Sequence, residues 1–108
     1  MNIDRNAFAE LQSTAGTEFV AELVDTFVED APRMLAELRD AQAAGAADRF
    51  RRAAHSLKSN ASTFGASRLA ALARELELGG IPADALPIGA LQSEFERAAA
   101  ALKDLARG

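Results

Sequence analysis

The chain has 108 residues, enough for one small domain, and hydrophobic residues make up 49% of them, which excludes a disordered protein. Its net charge of −4 argues against general affinity for nucleic acid. With no cysteine and one histidine, it cannot form disulfides or a cysteine-based metal site. Alanine, leucine, glutamate and arginine, which favour helices, dominate the composition.

The N-terminal twenty residues contain acids and lack an apolar core, so they do not form a signal peptide. No stretch of the chain approaches the roughly 20 apolar residues that span a bilayer. We therefore expect a cytoplasmic protein that binds neither membranes nor nucleic acid.

The first two helices are predicted from apolar residues spaced three or four apart. The segment "IDRNAFAELQ" predicts a short N-terminal helix that Gly16 ends, and Thr17 is expected to cap the next helix. An apolar stripe from Val20 to Leu38 then continues through Pro32. This pattern predicts either two nearly collinear helices or one kinked helix, ending near Gly45.

Three further helices follow, and no alternating strand pattern occurs anywhere in the chain. The first of these helices covers about residues 46–64 and ends at Gly65. Ser67 is expected to cap the second helix, and the third helix covers about Ile88 to Ala106. Their predicted inward residues are Phe50, Ala54, Leu57, Ala61 and Phe64; Leu69, Leu72 and Leu76; and Leu91, Phe95, Ala98, Leu102 and Leu105. The fold class is therefore all-α: one domain over residues 1–108, an antiparallel four-helix bundle with a short additional N-terminal helix.

The single histidine, His55, lies on the third predicted helix. At about 100° per residue, it projects about 150° away from the middle of the apolar stripe, which predicts an exposed side chain. The residues on the same outward side are Arg51, Arg52, Ser59 and Ser62, with Lys58 at the margin. An exposed helical histidine often has no role, and a metal site is disfavoured by the neighbouring cations. The third interpretation is a nucleophile for a phosphoryl group, because neutral imidazole is well populated near neutral pH.

The charge around His55 differs from that of the whole chain. Between Arg49 and Arg68 there are five basic residues and no acidic residue. Such a run is usually a solvated helix face. The alternative is a positive patch that fits an anionic partner.

The segment "HSLKSNASTFGA" at residues 55–66 resembles the signature of histidine-containing phosphotransfer (HPt) domains, H-x-L-K-G followed by small residues and G-A. The continuation "RLAALARELE" and the approach "FVEDAPRMLAELRDAQAAGAADRFRRAAH" are similar to the same family. The resemblance covers about residues 17–78. The family's glycine after the lysine is replaced here by Ser59, another small residue.

The resemblance implies a role for each matching residue. His55 would be the phosphoacceptor through its Nε2 atom, and Lys58 would stabilise the phosphoryl oxygens. Glu77 matches a polar position that in similar domains hydrogen-bonds the other imidazole nitrogen and thereby orients the ring. From the helical geometry we add four positions that would contact a partner: Arg51, Arg52, Ser59 and Ser62.

The implied function is transfer of a phosphoryl group from a receiver-domain aspartate, or a sensor kinase, to His55 and on to a response-regulator receiver domain. The implied partners are receiver domains and a sensor histidine kinase, which can be of the hybrid type. The chain has no nucleotide-binding motif, so we expect no ATP-dependent kinase activity. We also expect a monomer that binds no cofactor itself, with Mg²⁺ on the partner receiver domain.

Two alternatives remain open. One is a non-catalytic helical adaptor, or a degenerate HPt-like module that binds receivers without accepting phosphate. The other is the phosphoacceptor domain of a larger sensor or chemotaxis kinase. The opening Met1 favours a free-standing protein.

Overall fold

The structure is a computed structural model, and it describes residues 3–107. These residues form five helices in chain order: α1 (Arg5–Ala15), α2 (Thr17–Ala44), α3 (Ala47–Thr63), α4 (Ser67–Gly79) and α5 (Leu86–Arg107). Helix α2 packs against α3 and α5, and α4 also packs against both of these helices. Short turns join successive helices of this group, which makes neighbours antiparallel. The predicted all-α four-helix bundle with a short N-terminal helix is confirmed.

Helix α2 is continuous through Pro32, so the predicted alternative of two collinear helices is wrong. Proline cannot donate a backbone hydrogen bond, yet the buried stripe on both sides of it keeps the helix packed on the bundle. Gly45 ends the helix in the left-handed conformation, with φ of 65°.

The predicted start of three helices differs from the observed start. Thr17 and Ser67 are the first helical residues and their side chains make no capping hydrogen bond, so Gly16 and Ala66 occupy the cap positions. Helix α5 begins at Leu86, before the predicted Ile88. The Asp84 carboxylate accepts a hydrogen bond from the Leu86 N–H at 2.9 Å, which satisfies a donor of the first turn.

The core lies between helices α2 to α5, and three phenylalanines from α2, α5 and the end of α3 pack together in it. The Phe27 ring lies 5.3 Å from the Phe64 ring and 5.8 Å from the Phe95 ring, edge to face in the second pair. The predicted stripe of α3 is buried along its whole length. The stripe of α4 is buried at Leu69 and Leu76 and only partly at Leu72.

Helix α1 is attached to the turn between α3 and α4. Asp4 caps α1 by accepting hydrogen bonds from the N–H groups of Asn6 and Ala7. The Asp4 N–H donates to the Gly65 carbonyl at 2.7 Å, and Phe8 is buried against the bundle. This attachment places Ala7 of α1 in one groove with Lys58 and Ser62 of α3.

Candidate functional site

His55 lies in the middle of α3, on the side opposite the buried stripe. Phe50, Ala54 and Leu57 are fully buried, whereas 56% of the His55 side chain is exposed. Because buried residues recur every three or four positions, residue 55 necessarily faces outward once α3 packs on the bundle. The imidazole is therefore accessible to a partner.

Glu77 of α4 contacts the imidazole from one side. Its Oε2 atom lies 2.7 Å from His55 Nδ1, and the Glu77 side chain is 15% exposed. The nearby Lys58 ammonium and the imidazole lower the pKa of Glu77 below its usual value of 4.5, against the opposing effect of partial burial. The carboxylate is consequently ionised at neutral pH and can only accept, so Nδ1 carries the proton. In the neutral ring, the Nε2 lone pair is then free.

Lys58 contacts the other oxygen of the same carboxylate. Its Nζ atom lies 2.9 Å from Glu77 Oε1, and its side chain is 27% exposed. Glu77 thus bridges Lys58 and His55, which are one helical turn apart on α3. The family resemblance implies that Lys58 contacts the phosphoryl group; that a carboxylate holds it in the unphosphorylated protein was not predicted.

The four predicted contact positions are all exposed. Ser62 lies beside Lys58 in an open groove between α1, α3 and α4. Arg52 lies in a different groove, between α2 and α3. Arg51 pairs with Asp48 at 3.6 Å. Ser59 is exposed, and its carbonyl accepts a hydrogen bond from the Thr63 hydroxyl.

The structure corrects the predicted positive patch over residues 49–68. Four of its five basic residues pair with a carboxylate, in three cases from a different helix. The pairs are Arg49 with Glu37, Arg51 with Asp48, Lys58 with Glu77 and Arg68 with Glu94. The patch is basic along the sequence because its acidic partners come mostly from α2, α4 and α5.

Arg74 also lies near the site, although it is not among the predicted site residues. It lies on α4 three residues before Glu77, and it lines the groove that also contains Lys58 and Ser62. Since residues three apart on a helix share a face, a projection of α4 centred on Glu77 could have identified it.

Residues 3–107 contain no group of three or more His, Cys, Asp or Glu side chains arranged to hold a metal ion. None of the helices in this described part of the chain has the length and apolar character needed to cross a membrane.

Comparison with known proteins identifies the family. The family model of the Hpt domain matches residues 22–101. The crystal structure of histidine-containing phosphotransfer protein B (HptB) from Pseudomonas aeruginosa PAO1 is similar to this chain, with 34% sequence identity and a TM-score of 0.76. The match covers 98% of this chain and 91% of that chain. No match was found among curated proteins.

The structure is a helical bundle that presents an exposed imidazole, and the Glu77 carboxylate contacts the Nδ1 atom of that ring. The chain belongs to the Hpt domain family. Proteins of this family carry phosphoryl groups in phosphorelays and are not kinases.

Proposed function

We propose that His55 is the phosphoacceptor of this chain and that it exchanges a phosphoryl group with the aspartate of a receiver domain. The observation that carries the proposal is the 2.7 Å contact between His55 Nδ1 and the Glu77 carboxylate on an exposed helix face. This contact places the proton on Nδ1 and leaves the lone pair of Nε2 available to the partner.

The transfer step follows from this arrangement. The Nε2 lone pair attacks the phosphorus atom of an aspartyl phosphate, the N–P bond forms, and the P–O bond to the aspartate breaks. The leaving aspartate takes the electron pair as a carboxylate. Nε2 has no proton to lose, so no general base is needed. The ring acquires positive charge with its Nδ1–H facing Glu77, and the ionised carboxylate stabilises that charge.

Lys58 is proposed to stabilise the phosphoryl group after transfer. It lies one turn of α3 beyond His55, and its ammonium is already at the edge of the site, 2.9 Å from Glu77. A phosphoryl group on Nε2 brings two or three strong acceptor oxygens within reach of this flexible cation. We expect Mg²⁺ to be held by the receiver domain, where the aspartyl phosphate forms.

Transfer of the phosphoryl group is proposed to be reversible. A phosphorylated receiver domain or a sensor histidine kinase phosphorylates His55, and a response regulator accepts the phosphoryl group from it. A receiver domain is the partner class that the family implies. We propose that the protein acts in the cytoplasm as a monomer.

The decisive experiment uses His55→Gln, which keeps a polar side chain on the exposed helix face. Incubation with a radiolabelled, phosphorylated receiver domain should label the wild type with an acid-labile, base-stable product and leave His55→Gln unlabelled. Circular dichroism should show an unchanged bundle because the site is exposed. Label on the variant would refute the proposal. Binding of the receiver without any label on the wild type would indicate an adaptor instead.

The role of Lys58 has a matched control, because Lys103 on α5 is the only other lysine. Lys58→Ala should slow transfer or shorten the lifetime of the phosphohistidine, and Lys103→Ala should change neither. An unchanged rate and lifetime in Lys58→Ala would remove Lys58 from the site.

A further inference from the structure

The groove between α1, α3 and α4 is open to solvent, and it reaches the site through Lys58, which lines it and pairs with Glu77. It encloses about 360 Å³, and residues from all three helices line it. Its principal lining residues are Ala7, Lys58, Ser62, Ala70, Ala71 and Arg74. Four of these six side chains are alanine or serine, so the groove is wide enough to receive side chains of another protein.

Arg74 differs from most basic residues of α3 and α4 because no carboxylate lies within salt-bridge distance of it among residues 3–107. Of the six basic residues on these two helices, Arg49, Arg51, Lys58 and Arg68 pair with carboxylates. Arg52 lies in the other groove, and its Nε donates only to the Asp48 carbonyl, at 3.4 Å. Within residues 3–107, Arg74 is therefore a cation close to Glu77 on α4 that has no carboxylate partner.

The charges of Lys58 and Glu77 cancel each other. Lys58 carries one positive charge, and the ionised Glu77 carboxylate that pairs with it carries one negative charge. Attraction of an acidic partner must then come from unpaired cations around this group, and an exposed cation acts mainly on the rate of encounter. A donor that carries its phosphoryl group on an aspartate and binds Mg²⁺ is built from carboxylates at its own active site.

We propose that Arg74 is a docking residue that pairs with an acidic side chain of the receiver domain when that domain meets His55. This inference rests on the proposed function, and it adds a specific contact on α4 to it. The partner inserts small or acidic side chains into the alanine- and serine-lined groove, and Arg74 supplies the charge that Lys58 cannot offer while it is paired with Glu77.

The test measures the initial rate of phosphotransfer from a phosphorylated receiver domain at increasing receiver concentration. Arg74→Gln should raise the half-saturating concentration by up to about fivefold, the range of one exposed ion pair, and leave the maximal rate unchanged. Arg74→Glu should raise it further, about tenfold or more, because it adds repulsion. Arg74→Lys keeps the positive charge, so its half-saturating concentration should stay close to the wild-type value. The dependence of the rate on salt should be weaker in Arg74→Gln than in the wild type.

The matched control is Arg107→Gln, the same chemical change near the end of α5, where the arginine is 80% exposed and pairs only with Asp104. It should leave the half-saturating concentration unchanged. A wild-type half-saturating concentration in Arg74→Glu would overturn the inference, and so would a loss confined to the maximal rate. His55→Gln, run in the same assay, tests the proposed function separately: if it remains unlabelled, His55 stays the phosphoacceptor whatever the outcome for Arg74.

Discussion

Gly65 lies in the turn between α3 and α4, where the chain passes against the start of α1. Its φ of +76° is in the left-handed region that favours glycine. A Cβ atom at this position would lie 2.9 Å from the Asp4 carbonyl oxygen and 3.1 Å from Ala7 Cβ. The carbonyl is backbone and cannot rotate away, so Gly65→Ala must displace α1 or the turn.

The loss of stability expected for Gly65→Ala has two parts. Alanine in the left-handed conformation costs about 1–2 kcal/mol. Overpacking against a fixed neighbour costs a further 1–3 kcal/mol, roughly. The displacement also strains the 2.7 Å hydrogen bond from the Asp4 N–H to the Gly65 carbonyl. We therefore expect Gly65→Ala to lower the free energy of unfolding by about 2–5 kcal/mol, a large part of the roughly 5–15 kcal/mol of a small domain.

Urea denaturation followed by circular dichroism measures this loss, and two other glycines serve as controls. Gly45 has a φ of +65°, and a Cβ atom added there would have no neighbour within 4 Å, so Gly45→Ala should show only the conformational cost of about 1–2 kcal/mol. Gly89 lies inside α5 in open space, so Gly89→Ala should raise the stability by about 0.5–1 kcal/mol. If Gly65→Ala loses no more than Gly45→Ala, the contact between α1 and the turn does not constrain residue 65.

Three further predictions concern charge and the departure from the family signature. The Glu77 carboxylate should titrate below pH 4.5 by carbon NMR, and in Lys58→Met the midpoint should rise towards 4.5, since the lysine is the main cause of the lowered pKa. A carboxylate whose pKa is lowered by folding stabilises the protein above its unfolded-state pKa, and this contribution is lost as the pH falls through its folded-state pKa. The difference in unfolding free energy between the wild type and Glu77→Gln should therefore shrink on acidification. A difference that does not change with pH would contradict the lowered pKa of Glu77. Glu94→Met should be at least as stable as the wild type in urea. Glu94 is 1% exposed and has one unpartnered oxygen, whereas its two arginine partners are 55% and 70% exposed and stay hydrated. A loss of more than about 1 kcal/mol in unfolding free energy would contradict this expectation. Ser59→Gly restores the family's glycine at an exposed helical position. It should lower the free energy of unfolding by about 0.5 kcal/mol and leave the rate of phosphotransfer unchanged. A faster rate would show that Ser59 hinders docking of the partner.

The helices were largely predictable because their buried residues recur with helical spacing. The α3 stripe that ends at Phe64 is buried as predicted, and the exposure of His55 follows from the same periodicity. The helix starts were less predictable. At Thr17 and Ser67 the preceding residue occupies the cap position, and at Leu86 the carboxylate of Asp84 extends the helix towards its N-terminus. The apolar stripe on both sides of Pro32 is visible in the sequence, but the choice between one helix and two depended on how that stripe packs on the bundle.

The sequence by itself determined the helical class, the outward direction of His55 and the family resemblance, because each depends on residues close together in the chain. Only the tertiary structure decided which charges remain available. Arg49, Lys58 and Arg68 appear as one basic run along the chain, but each pairs with a carboxylate from another helix. Arg74 lies six residues after the end of that run, on α4, and it lines the same groove as Lys58 without such a partner among residues 3–107. Coulomb interactions depend on distance in space, and the packing of the helices sets that distance.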